Sequence, residues 1–132
     1  MASLPATEAV RVSVPARSDF VHVLRSVTAA VAGRMPLSLD DVDDLRLAVD
    51  ESCARLLSIG GEPQTFRLDL RAMPGRLEVV VSVDVVAPWP PDDFEDTLAW
   101  RVLGALAEHV RFEHWNGTPA IRIVKHTLGK ER

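Results

Sequence analysis

Ten residues near the middle of the chain, Leu77 to Val86, include six valines. Branching at Cβ restricts side-chain rotamers in a helix and suits a pleated surface, so this run reads as a strand. Just before it, Phe66, Leu68 and Leu70 alternate with Arg67, Asp69 and Arg71, the period of a strand with one wet face. Between the two runs, Met73-Pro74-Gly75-Arg76 puts Pro and Gly where the central residues of a tight turn belong. An antiparallel pair follows, and its apolar face needs a covering layer.

The remaining segments supply it. Val10 to Val14 alternates like a strand and is closed by Pro15. Ser18 is placed to cap a helix in which Phe20, Val23, Leu24, Val27 and Val31 form one apolar stripe, ending near Gly33 before Pro36. Ser38-Leu39-Asp40-Asp41 has the form of a capping box with Asp in place of Glu. Val42, Leu45, Val49, Cys53 and Leu56 then recur at helical spacing as far as about Leu57. After the proline-rich loop Ala87 to Asp93, the spacing of Leu98, Val102, Leu103, Leu106 and Val110 predicts a third helix, starting at Phe94 or Thr97 and closing at His109. Asn116-Gly117, between Arg111–Trp115 and Ala120–Lys125, is a strong hairpin signal. The order β α α β β α β β predicts an α+β two-layer sandwich: a mixed, mostly antiparallel five-stranded sheet with three helices on one face. One domain spans 10–128, with tails at 1–9 and 129–132.

Composition narrows the function classes. The 132 residues are 47% hydrophobic and 26% charged, with net charge −4, which is a globular balance. From Thr97 onward six basic residues face three acids, too mild an excess for nucleic acid, so no direct nucleic-acid partner is expected. Cys53 is the only cysteine, so no internal disulfide forms, and no metal site is expected from it and four scattered histidines. It falls in the core stripe of the second helix and reads as an inert buried thiol. With no long apolar run and no signal-peptide pattern at the start, the expected setting is the cytoplasm, without membrane contact. The common phosphate-cradle, zinc-protease and nucleophile-elbow motifs are absent. The loop at Trp89 reads as an exposed apolar element.

Two features stand out from this ordinary background. On the first helix Val21, Arg25, Thr28 and Ala32 fall on a face other than the apolar stripe, with one fixed cation, and are expected to form an interface. On the second, Asp44, Glu51 and Arg55 point away from the core stripe, with Glu51 and Arg55 spaced as an i,i+4 ion pair. The segment Asp43-Asp44-Leu45-Arg46-Leu47-Ala48-Val49-Asp50-Glu51-Ser52-Cys53-Ala54-Arg55-Leu56-Leu57, preceded by a strand and a first helix, resembles the N-box helix of the anti-sigma factor and switch-protein serine kinase family. That family belongs to the GHKL superfamily, with its Bergerat-type ATP-binding domain.

The resemblance implies a Bergerat-like fold, ATP with Mg2+ as family cofactors, and a catalytic Glu at Glu51. Arg55 stands where the family has a magnesium-holding Asn, and a guanidinium has no lone pair for a cation, though it can contact phosphate. Asp84 matches the family's adenine-reading Asp, while Val86 and Pro88 replace its two glycines. Arg25, 26 positions before Glu51, matches the family's sigma-contacting arginine. The function implied is an anti-sigma factor: a homodimer that sequesters an alternative bacterial sigma factor and is displaced by an anti-anti-sigma protein. The alternatives are a serine kinase acting on that antagonist, with Glu51 as base and Arg55 on phosphate, and a non-catalytic interaction scaffold.

Overall fold

In the computed structural model, which describes residues 8–128, the valine-rich run lies at the centre of a five-stranded sheet. The strands are β1 (Glu8–Pro15), β2 (Thr65–Met73), β3 (Arg76–Val83), β4 (His109–Trp115) and β5 (Thr118–His126), in spatial order β1-β2-β3-β5-β4. The helices are α1 (Val21–Ala32), α2 (Leu39–Leu57) and α3 (Leu98–Leu106), with 3-10 turns at Ser18–Phe20 and Phe94–Asp96. The α+β sandwich and its element order agree with the sequence reading. Glu8 and Ala9 extend β1 beyond the expected domain start; residues 1–7 and 129–132 of the expected tails lie outside the described residues.

All four pairings are antiparallel, where a mixed sheet was expected. Two helices in succession return the chain antiparallel to β1, whereas the single helix between β3 and β4 returns it parallel to β3. The β4–β5 hairpin then folds back so that β5 separates those two like-directed strands. The Asn116-Gly117 signal reads correctly: both residues have positive φ, 54° and 82°, as a two-residue primed turn requires.

Three element ends also differ. Val83, not Val86, ends β3, because the Asp84 carboxylate leaves the ladder to accept from the backbone N–H groups of Gln64 and Thr65, at 2.8 and 3.0 Å. Leu106, not His109, ends α3; Ala107 is extended and His109 pairs with Val124 in the sheet. Ser18 starts the 3-10 turn instead of capping α1, whose N-cap position is Phe20 without a side-chain bond.

One layer of core joins sheet and helices. Phe66, Leu68, Leu70, Leu77, Val79, Val81, Ile121 and Ile123 meet Leu24, Leu45, Val49, Cys53, Leu56 and Leu103, all buried. Alternate strand residues face the other way and carry charge: Arg11 pairs with Asp69 at 2.9 Å, and Arg122 with both Glu78 and Glu113 at 2.9 Å. The acidic start of α2 is fixed as its sequence predicts: Ser38 Oγ accepts from Asp41 N–H at 3.0 Å, and the Asp41 carboxylate accepts from Ser38 N–H at 3.3 Å. Replacing Ser38 with Ala orphans that donor and is expected to cost about 1 kcal/mol of stability, measured by urea unfolding.

Candidate functional site

At 100° per residue, α1 presents Leu24, Thr28 and Ala32 to one side, and all three are fully buried. This corrects the expected outward face. The Thr28 hydroxyl donates to the Leu24 carbonyl at 2.8 Å, which satisfies it inside the helix and lets a threonine take a core position. Ala32 packs in the core, and Val21 rests partly buried against it. Of the four residues only Arg25 offers a polar group to solvent, at the edge of the seam where α1 packs on α2.

There its Nε lies 3.1 Å from Asp50 Oδ1, both side chains 37% exposed. The contact is electrostatic without hydrogen-bond alignment, since the buried Nε–H has no acceptor. One turn back on α2, Arg46 Nη1 stands 3.7 Å from Asp43 Oδ1. These four residues and Leu47 line an open cleft of about 260 Å3. Leu47 is 54% exposed. Neither Leu47 nor Asp50 was singled out by spacing; the available signal was a leucine standing off the apolar stripe of a strongly patterned helix.

The residues matched to a nucleotide site are not assembled into one. Glu51 and Arg55 are half-buried on the flank of α2 opposite Asp50, and no ion pair joins them among the described residues, contrary to the expected i,i+4 pair. Arg55 Nε is buried without an acceptor. Asp44, on the same flank and away from the core stripe, lies 3.4 Å from Lys125 Nζ, which also stands 3.5 Å from Asp41 and donates to the Leu106 carbonyl at 2.8 Å. Asp84 is exposed, with one carboxylate oxygen engaged by two backbone donors.

Beyond it Val86 is 98% exposed, but Trp89 is 6% exposed and not the expected exposed element. Its indole stacks on Phe112 with centroids 5.0 Å apart and donates to the Ala120 carbonyl at 3.2 Å. Phe94 and Trp100 complete the cluster, each within 5.4 Å of Phe112. The segment that should admit a ligand is thus anchored into the core by aromatic packing. No group of three or more His, Cys, Asp or Glu placed to hold a metal ion occurs among the described residues. With a guanidinium at the magnesium position and Val86 and Pro88 in place of the two glycines, these residues do not fit Mg2+-ATP in the family's manner.

These elements place the chain among the histidine kinase-like ATPase domains. The model of that family matches residues 14–125, and the chain belongs to it. It is 37% identical over 120 residues to the anti-sigma-F factor RsbW of Mycobacterium tuberculosis (strain CDC 1551 / Oshkosh), covering 86% of this chain and 66% of that protein. It is 30% identical over 92 residues to the serine-protein kinase RsbW of Halalkalibacterium halodurans, covering 69% and 56%. With the serine-protein kinase RsbW of Bacillus thuringiensis (strain Al Hakam) it shares 32% identity over 50 residues, 38% of this chain and 31% of the other. The chain therefore spans just under two thirds, or less, of the length of these relatives. No helix among the described residues is long and apolar enough to cross a membrane.

Cys53, fully buried in α2, has its thiol pushed up to about 12, first by burial and then by the nearby Asp50 charge. A thiol raised in the folded state contributes stability that is complete below its unfolded pKa of about 8.5 and is lost as the pH rises towards 12. At pH 8 a thiol-specific reagent is expected to leave Cys53 unmodified in the folded protein and to label it fully in denaturant, read by absorbance or mass.

Proposed function

We propose that this protein is an anti-sigma factor, acting in the bacterial cytoplasm as a homodimer that holds an alternative sigma factor until an anti-anti-sigma protein displaces it. The observation that carries this reading is Arg25. It sits at the resemblance-matched position, its guanidinium at the rim of an open cleft, on a relative of a protein named as an anti-sigma factor. Occlusion is the mechanism: residues of the sigma factor needed for polymerase or promoter are covered, and an antagonist with overlapping contacts competes for the same donors. Arginine is well suited to such a role because its planar fork gives geometry as well as charge. Val21 opens the same helix, while Thr28 and Ala32 are buried in the core.

Purified alternative sigma factors of the source bacterium, titrated against the chain, test this. Arg25→Ala or Arg25→Glu is expected to weaken the bound sigma factor at least tenfold without lowering the melting temperature, since the lost ion pair is over one third exposed. Unchanged affinity would refute the role of Arg25, and no binding of any sigma factor by the unaltered chain would refute the anti-sigma reading.

A second reading, a serine kinase of the antagonist, is favoured by one observation, the unsatisfied buried donor of Arg55, which an anion such as phosphate would complete. Glu51 would then be the base. The guanidinium of Arg55 where magnesium would sit, and Val86 and Pro88 where the family has glycines, weigh against it. Millimolar Mg2+-ATP is expected to leave the melting temperature unchanged; a rise of several degrees would favour the kinase.

A further inference from the structure

The outer face of α2 beside Arg25 is built unlike the solvated face of an amphipathic helix. Leu39, at the first helical residue, is 84% exposed, and Leu47, eight residues on, is 54% exposed. At 100° per residue, Leu39, Asp43, Arg46, Leu47 and Asp50 fall on one side of the helix, turned away from Leu45, Val49 and Leu56. Core packing accounts for neither leucine. A single exposed leucine is unremarkable on a protein surface, but this one shares a concave cleft of about 260 Å3 with two guanidiniums, Arg25 and Arg46.

The charges around Leu47 are arranged in two loose pairs. Arg25 with Asp50 and Arg46 with Asp43 balance, so the rim is neutral as a whole. Neither pair is hydrogen-bonded: the first has the Nε–H unaligned, and the second is 3.7 Å apart. Both forks therefore keep donors for a carboxylate, while Asp43 and Asp50 repel a segment that is acidic throughout.

Resting on the anti-sigma reading, we propose that Leu47 is an apolar anchor of the partner site. The occupant it fits is a helical segment of the sigma factor carrying one apolar side chain over Leu47 and a carboxylate, one turn away, on Arg25 or Arg46. Asp43 and Asp50 set specificity by admitting such a mixed segment and rejecting a uniformly acidic one.

The experiment uses the full chain and the same purified sigma factor, with Leu47→Ala, Leu47→Glu and, as a control, Leu98→Glu on α3, where Leu98 is 74% exposed. Melting temperature and mass in solution are followed for each variant. The expected result is a loss of affinity of several-fold for Leu47→Ala and more than tenfold for Leu47→Glu, with both folded and with unchanged mass, and no loss for Leu98→Glu. Unchanged affinity in both Leu47 variants, while Arg25→Ala still weakens binding, overturns the anchor and leaves the anti-sigma reading standing. If Arg25→Ala is also without effect on a sigma factor that binds, the cleft is not the partner site and the proposal is overturned; if no sigma factor binds the unaltered chain, the anti-sigma reading itself fails. A change of mass in the Leu47 variants without loss of sigma affinity assigns the face to a second copy of this chain and overturns the proposal; an equal loss in Leu98→Glu does so too.

Discussion

The burial of α2 against the sheet is the contact on which the other elements depend. Leu45, Val49, Cys53 and Leu56 enter one core with Phe66, Leu68, Val81 and Ile121, and α1 and α3 each pack on α2 from either side. At roughly 1.5 to 3 kcal/mol for each large apolar side chain withdrawn from water, this stripe outweighs the exposed ion pairs on the same helix, which contribute about a few tenths each. The helix is thereby held by its apolar third. Beside the packed α1 and α3, its two polar flanks differ in what they meet.

One flank is tied down. Lys125, nearly buried, reaches Asp41, Asp44 and the Leu106 carbonyl at once, joining the start of α2, the end of α3 and the sheet. Burying an ammonium costs several kcal/mol unless it is paired and hydrogen-bonded, and here it is both. Farther along that flank, Glu51 and Arg55 lack the partners that a working nucleotide site would give them. On the other flank Arg25, Arg46 and Leu47 remain half open. A fold shared with histidine kinase-like ATPase domains thus keeps its frame, packs Trp89 on Phe112 beyond β3, and leaves the opposite flank of α2 half open.

Much of the frame was legible from the chain because its elements have clean periods. The α2 stripe, the Ser38 cap, the Pro74-Gly75 and Asn116-Gly117 turns and the order of elements follow from local rules that tertiary contacts do not override here. Strand directions were less legible, since β5 entering between β3 and β4 is a matter of three-dimensional packing. The α1 face was misread because Thr28 looks polar by composition; its hydroxyl is satisfied one turn back within the helix, so the residue behaves as a core side chain. Trp89 was misread for the converse reason, as a proline-rich loop gives no local sign that its aromatic residue will fold inward onto Phe112. Arg25 could be found in the sequence, but its neighbour Asp50 belongs to another helix and only the fold brings them together.

The aromatic arrangement has an optical consequence. The chain has three tryptophans and no tyrosine, and the tryptophans, Trp89, Trp100 and Trp115, all lie between β3 and the end of the terminal hairpin. Trp89 is stacked on Phe112, Trp100 meets the same ring edge-on, and the centroid of the Trp115 ring lies 5.4 Å from the Arg122 guanidinium. None lines the cleft at Arg25. The native emission of this protein is a gauge of its sheet and α3 that is nearly blind to events on the α1–α2 seam, so a shift in it reports a change of fold and not occupancy of the cleft.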